Sequence, residues 1–78
     1  MSKVHGPFGQ SYRMRFIEKM LMHYGIVNRS VLADYFGIST PQASHDIQAY
    51  IQLAPGNLEY DKTEKAYVRS EHFVQVYE

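Results

Sequence analysis

The stretch from Val31 to Leu53, VLADYFGISTPQASHDIQAYIQL, constrains the fold most, because it predicts two helices joined by a very short turn. Leu32, Tyr35 and Phe36 recur at the spacing of one apolar helix face. Gly37 then supplies the left-handed conformation that commonly ends a helix. Two helices around so tight a turn are typical of a helix-turn-helix, whose second helix enters the major groove of DNA.

The second of these helices has a clear start signal. Ser39 is a favourable N-cap, and Gln42 is spaced to reach back to the Ser39 amide in a capping box. Pro41 is compatible with the first turn of a helix, whereas Pro55 limits the other end. The sequence therefore predicts a helix from residue 40 to about residue 53.

Two runs, IVNRSVLADYFGISTPQASHDIQAY and LAPGNLEYDKTEKAYV, carry a family resemblance. They resemble the N-terminal winged helix-turn-helix domain of bacterial regulators with a C-terminal WYL domain, a DeoR-like group that includes repressors of anti-phage defence operons. The resemblance extends over roughly residues 13–77. Its specific part is the combination of NRS, FGIS and PQAS with a downstream NLEYD hairpin.

This resemblance implies a transcriptional repressor that binds a palindromic operator in the bacterial cytoplasm, at the nucleoid. In that group a ligand-sensing domain follows the DNA-binding domain, and these 78 residues do not contain one. We therefore expect either a fragment that lacks the C-terminal ligand-sensing domain or a stand-alone protein.

The length and composition favour one domain, which we place at residues 11–78 behind a flexible N-terminal arm, residues 1–10. The arm contains two glycines and a proline and has no hydrophobic periodicity. The sequence has no cysteine, no apolar run of the roughly 18 residues that a membrane span needs and no signal-peptide pattern. We expect a cytoplasmic protein without disulfides or membrane contact.

The charge is unevenly distributed, although the formal net charge is zero. Basic residues outnumber acidic ones five to one in residues 1–33, and acidic residues outnumber basic ones seven to three in residues 34–78. A basic face for nucleic acid is compatible with this pattern. With so few cations a monomer should bind DNA weakly, so we expect a homodimer.

The elements before the central motif follow from local signals. A first helix is predicted from Tyr12 to Tyr24, with Ser11 as its cap and an apolar face of Phe16, Ile17, Met20, Leu21 and Tyr24. A short edge strand is predicted at residues 26–27. Asn28 is a favourable cap for a helix over residues 29–36.

The elements after the motif predict a β-hairpin, the wing. Residues 58–61 and 66–69 each alternate apolar with polar side chains around a polar turn. Leu58 and Tyr60 should share a face with Tyr67 or its neighbours, and this face should be buried on the helices. The predicted fold class is therefore α+β, a winged helix-turn-helix of three helices plus a C-terminal β-hairpin.

The apolar residues of 70–78 should either pack back on the domain or form part of a dimer contact.

The outer face of the third helix is the candidate reader of DNA bases. This face carries no charge, which is unusual for a helix surface, and glutamine side chains suit adenine in the major groove. The candidate base-reading residues are Pro41, Gln42, His45 and Gln48.

Phosphate contacts are expected from a second set of residues. These residues are basic or hydroxyl-bearing and lie in first helical turns, on the third helix or in the wing. They are Arg29, Ser30, Thr40, Ser44, Lys62, Lys65 and Arg69.

Catalytic and metal chemistry find little support in the sequence. The four histidines are far apart, and no pair has the helical spacing typical of metal ligands. Ser39, His45 and Asp46 do not suit a catalytic set, because adjacent helix positions diverge and Ser39 is already explained as a cap. We expect a non-enzymatic protein without cofactors, whose partner is double-stranded DNA. The alternative is a winged-helix module that binds protein and not DNA.

Overall fold

The computed structural model describes residues 6–77 of the chain, and its side chains from residue 9 onward. Three helices and a small sheet follow one another along the sequence: α1 (Gly6–Tyr24), β1 (Ile26–Val27), α2 (Arg29–Phe36), α3 (Thr40–Leu53), β2 (Leu58–Asp61) and β3 (Ala66–Arg69). The strand order is β1-β3-β2, with both pairings antiparallel. This architecture confirms the predicted winged helix-turn-helix.

The start of α1 differs from the prediction. The helix begins at Gly6 and not at Tyr12, so Ser11 lies inside α1 and does not cap it. The physical reason is that Pro7 sits in the first turn, where its missing amide breaks no helical hydrogen bond. Residues 6–10 are therefore helical, and the rest of the predicted arm, residues 1–5, lies outside the described residues.

The caps of α2 and α3 agree with the sequence signals. The side-chain oxygen of Asn28 accepts a hydrogen bond from the Val31 amide at 2.8 Å, and Ser39 Oγ accepts one from the Gln42 amide at 3.1 Å. Gly37 has φ 66°, in the left-handed region. Asn28 thus defines the start of α2, and Gly37 and Ser39 define the tight turn between the two helices.

The core lies where the three helices meet the sheet. Each fully buried apolar side chain contributes roughly 1.5–3 kcal/mol of transfer free energy. The residues with essentially no exposed surface are Ile17, Leu21, Leu32, Ala43, Ile47 and Tyr50.

Three tyrosines that the sequence pattern placed on apolar or buried faces are exposed. Tyr24 is 73% exposed, Tyr35 is 67% exposed and Tyr60 is 53% exposed. Tyr35 lies flat on Phe16, with ring centroids 4.6 Å apart, and therefore packs at the edge of the core.

The segment after β3 packs back on the domain, one of the two predicted alternatives. Buried Glu18 of α1 accepts hydrogen bonds from the backbone amides of Val76 at 2.8 Å and Tyr77 at 2.7 Å. Asn57 bonds to both the amide and the carbonyl of Val74. Phe73 and Tyr77 contact the core.

Within residues 6–77, no helix is long and apolar enough to cross a membrane.

Replacing Gly37 by alanine should destabilise the turn between α2 and α3. A Cβ at a left-handed position costs roughly 1–2 kcal/mol, although nothing lies within 4 Å to clash with it. Gly56 also has open space and has no positive φ, so Gly56→Ala is the matched control. Urea unfolding should show a loss of about 1–2 kcal/mol for Gly37→Ala and a change below about 0.5 kcal/mol for Gly56→Ala. Equal effects would contradict the proposed role of the left-handed cap.

Candidate nucleic-acid interface

A cleft of about 500 Å³ opens between the start of α2, the middle of α3 and the wing. Four of the predicted phosphate-binding residues lie in its wall: Arg29, Ser30, Ser44 and Lys65. Asn28, Tyr60, Ala66 and Tyr67 complete the lining. The fold thus brings together residues that lie up to 39 positions apart in the sequence.

The α2 side of the cleft is suited to an anion. Asn28 caps the helix, and Arg29 and Ser30 are the first two helical residues. Amides in a first helical turn point outward without helical partners, and the helix dipole favours negative charge there. The side chains of Arg29 and Ser30 are exposed and therefore accessible to a ligand.

The wing side of the cleft has a fixed turn. Asp61 Oδ1 accepts hydrogen bonds from the amides of Thr63 at 2.8 Å and Glu64 at 3.0 Å. Lys65 has φ 55°, a left-handed backbone conformation that residues other than glycine and asparagine rarely adopt. The hydrogen-bonded turn holds the Lys65 side chain at the cleft, while exposed Lys62 lies in the same turn outside the cleft lining.

Tyr60 and Tyr67 are functional candidates that the sequence reading had assigned to the core. They face each other across the β2–β3 pair, and their rings meet edge to face with centroids 5.0 Å apart. Both contribute to the cleft lining. The register of the hairpin could have placed them opposite each other from the sequence, whereas the exposure of Tyr60 is seen only in the fold.

The outer face of α3 lies next to this cleft. Pro41, His45 and Gln48 are exposed, as predicted for base-reading residues. The Gln48 side-chain amide lies 3.2 Å from the Tyr67 hydroxyl, which links the reader face to the wing. Thr40 is also exposed but lines a separate recess between α2 and α3.

Gln42 is arranged differently from its prediction. Its backbone amide bonds to Ser39 as expected, but its side-chain amide donates to Asp46 Oδ1 at 3.0 Å and does not reach back to the Ser39 amide. Asp46 is fully buried and forms an ion pair with Arg13 of α1. Neither residue of this ion pair was identified as a contact from the sequence.

Arg69 also has a different environment from the other predicted phosphate-binding residues. Its guanidinium donates to the carbonyl oxygens of Leu21 at 3.3 Å and Met22 at 2.8 Å, at the carboxyl end of α1. A cation there also interacts favourably with the helix dipole. Arg69 therefore stabilises the end of α1, and its phosphate contact stays a prediction.

Among the described residues, no group of three or more His, Asp or Glu side chains could hold a metal ion.

The chain is similar to a known family of DNA-binding domains and to named members of it. Residues 9–78 match the BrxR transcriptional regulator winged helix-turn-helix domain. A relative from Escherichia coli (strain KTE188), named DNA-binding transcriptional repressor CapW, is 49% identical over 70 residues. The match covers 90% of this chain and 23% of that relative.

Relatives with the same name occur in two further species. The Pseudomonas aeruginosa protein is 49% identical, with 90% of this chain and 23% of the relative covered. The Stenotrophomonas maltophilia protein is 44% identical over 66 residues, or 85% of this chain and 22% of the relative. The chain thus spans less than a quarter of the length of these relatives. The predicted resemblance to the winged helix-turn-helix domain of WYL-type regulators is confirmed.

Replacing Arg69 by alanine should reduce stability, because two carbonyl groups at the end of α1 lose a charged donor. We expect a loss of about 1 kcal/mol in the free energy of unfolding. Lys62→Ala is the matched control, since it removes a cation from the exposed wing turn and should change stability by less than about 0.5 kcal/mol. Thermal and urea unfolding would measure both, and an unchanged stability of Arg69→Ala would refute the capping role.

Proposed function

Because the chain belongs to the BrxR transcriptional regulator winged helix-turn-helix domain family, we propose that it binds double-stranded DNA as part of a transcriptional repressor. The observation that carries this proposal is the cleft, which joins two cations and a helix N-terminus beside an uncharged helix face. The names of the relatives, DNA-binding transcriptional repressors, support the same function.

In the proposed complex, α3 lies in the major groove and the cleft holds the DNA backbone. Pro41, Gln42, His45 and Gln48 face the base edges, where side-chain amides and imidazoles distinguish base pairs. Phosphate groups contact the cleft residues, and Thr40 and Lys62 add contacts at either side of it. The residues that line the cleft for this purpose are Arg29, Ser30, Ser44 and Lys65.

We propose that the protein acts as a homodimer on a palindromic operator, in the cytoplasm and without catalytic activity. The net charge is zero, and two basic side chains of the described residues line the cleft, so one copy provides few phosphate contacts. Two copies on one DNA molecule double these contacts and explain how such a protein reaches specific affinity. The greater length of the relatives supports a longer regulator with a C-terminal sensing domain.

The first test is selection from a pool of random duplex DNA with the purified chain, with and without fusion to a dimerising segment. An enriched palindrome is expected, and its half-site spacing would give the geometry of the dimer. The absence of any enriched sequence in both forms would contradict the proposal and would favour a protein-binding module.

The second test is the salt dependence of binding to the selected duplex. Each phosphate contact lowers the slope of log K against log salt by about 0.9. Arg29→Ala and Lys65→Asn should each make the slope less negative by about 1 per copy. Asparagine tolerates the left-handed conformation at position 65, so this variant removes the charge and leaves the turn intact.

Lys19→Ala is the matched control for these variants. Lys19 is an exposed cation of α1 that does not line the cleft, so its removal should leave the slope unchanged. Equal slopes for all three variants and the wild type would show that the cleft does not bind phosphate.

A further inference from the structure

We propose that Asp46 fixes the side-chain amide of Gln42 with its carbonyl oxygen directed away from the protein interior. Gln42 then selects a base that carries an exocyclic amino group. This inference rests on the proposed function and names one determinant of its specificity. Asp46 is a positioning residue in this account, because it acts on DNA only through Gln42.

The carboxylate of Asp46 is surrounded by hydrogen-bond donors. Its side chain is fully buried, and the guanidinium of Arg13, 3% exposed, donates to both carboxylate oxygens. The oxygens of a carboxylate that is ion-paired with a guanidinium serve as hydrogen-bond acceptors. Gln10 of α1 also donates to Asp46 Oδ1, at 3.1 Å.

The acceptor oxygen of Asp46 determines the orientation of the Gln42 side-chain amide. Its side-chain amide lies 3.0 Å from Asp46 Oδ1, and an oxygen that only accepts requires the NH₂ group on that side. The carbonyl oxygen of Gln42 must therefore point the other way. Gln48 is a useful contrast, because its neighbour, the Tyr67 hydroxyl, both donates and accepts and leaves either orientation open.

The four bases differ in the hydrogen-bonding groups that they present to Gln42. In the major groove only adenine and cytosine present a donor, their exocyclic amino group, whereas guanine and thymine present acceptors. A glutamine with an outward carbonyl oxygen pairs with the donors. Every base pair contains one such base, so the outward carbonyl oxygen of Gln42 specifies the strand on which adenine or cytosine lies. We therefore expect one operator position at which binding depends on the exocyclic amino group of the contacted base.

The experiment compares selected sites for the wild type, Gln42→Ala and the double variant Arg13→Gln with Asp46→Asn. The double variant removes both buried charges together, so it leaves no unpaired charge in the core. Its asparagine offers a donor as well as an acceptor, so Gln42 is free to turn over. The preference should disappear at one position in both variants and stay unchanged at the others.

Gln10→Ala is the matched control. It removes a hydrogen bond to the same oxygen of Asp46 without altering Gln42. This variant should melt at a lower temperature but keep the full base preference. A loss of the preference in Gln10→Ala would mean that general loosening of the network, and not the orientation of Gln42, determines it.

A measurement on the wild-type protein tests the inference without any change in the fold. Replacing the preferred adenine by purine, or the preferred cytosine by 2-pyrimidinone, removes the amino group and should weaken binding about tenfold. For an adenine, 7-deazaadenine lacks only N7 and should bind within about twofold of the original duplex.

The outcomes separate this inference from the proposed function. A selected operator whose base preferences are the same for the wild type and Gln42→Ala would overturn the inference alone. Unchanged affinity after removal of the exocyclic amino group at the position affected by Gln42→Ala would do the same. Failure of the wild type to select any sequence would overturn the proposed function and this inference with it.

Discussion

The buried ion pair between Arg13 and Asp46 is the interaction on which the placement of α3 depends. It connects α1 with the first half of α3, and both side chains are withdrawn from water. Two buried charges are tolerated only when they are paired and fully hydrogen-bonded. Gln10 and Gln42 complete the set of donors to the carboxylate. The pair therefore restricts how α3 can lie against α1, which a purely apolar contact would not do as strictly.

A second polar contact holds the other half of α3 to the same helix. The Tyr50 hydroxyl of α3 donates to Glu18 of α1 at 2.7 Å and accepts a hydrogen bond from Asn57 at 3.0 Å. Burial raises the pKa of the Tyr50 hydroxyl well above its ordinary range, and Glu18 raises it further, so the proton needed for this bond is retained. Since α1 holds α3 at two places, the opposite face of α3 is presented to its ligand in a fixed orientation.

The helix boundaries could be predicted because their signals are local. Asn28 and Ser39 cap amides that lie three residues away, and Gly37 acts on its own backbone. The bounds of α2, α3, β1 and both wing strands accordingly agree with the sequence reading. The start of α1 could not be predicted, because glycine and proline were taken as signs of an irregular segment although proline is compatible with a first helical turn.

The candidate site was only partly accessible to sequence reasoning. Arg29, Ser30, Ser44 and Lys65 were named from helix starts and from the wing, and the structure places all four around one cleft. The partners of Arg13 and Arg69 could not be inferred, because the ion pair of Arg13 with Asp46 joins residues 33 positions apart and the Arg69 contact spans 48 positions. Gln42 and Asp46 lie four residues apart on α3, a spacing at which side chains meet, so their contact could have been inferred from the sequence. The burial of Asp46 against α1 required the folded structure.

DNA is proposed to contact the cleft and the outer face of α3. This contact can be measured by the change in backbone amide NMR shifts when the selected duplex is added to the ¹⁵N-labelled chain. We expect the largest changes on residues 28–30, on the first half of α3 and on residues 60–67. Changes concentrated instead on the exposed aromatic surface of α1 and α2, at Tyr12 and Tyr35, with no change at the cleft, would contradict it.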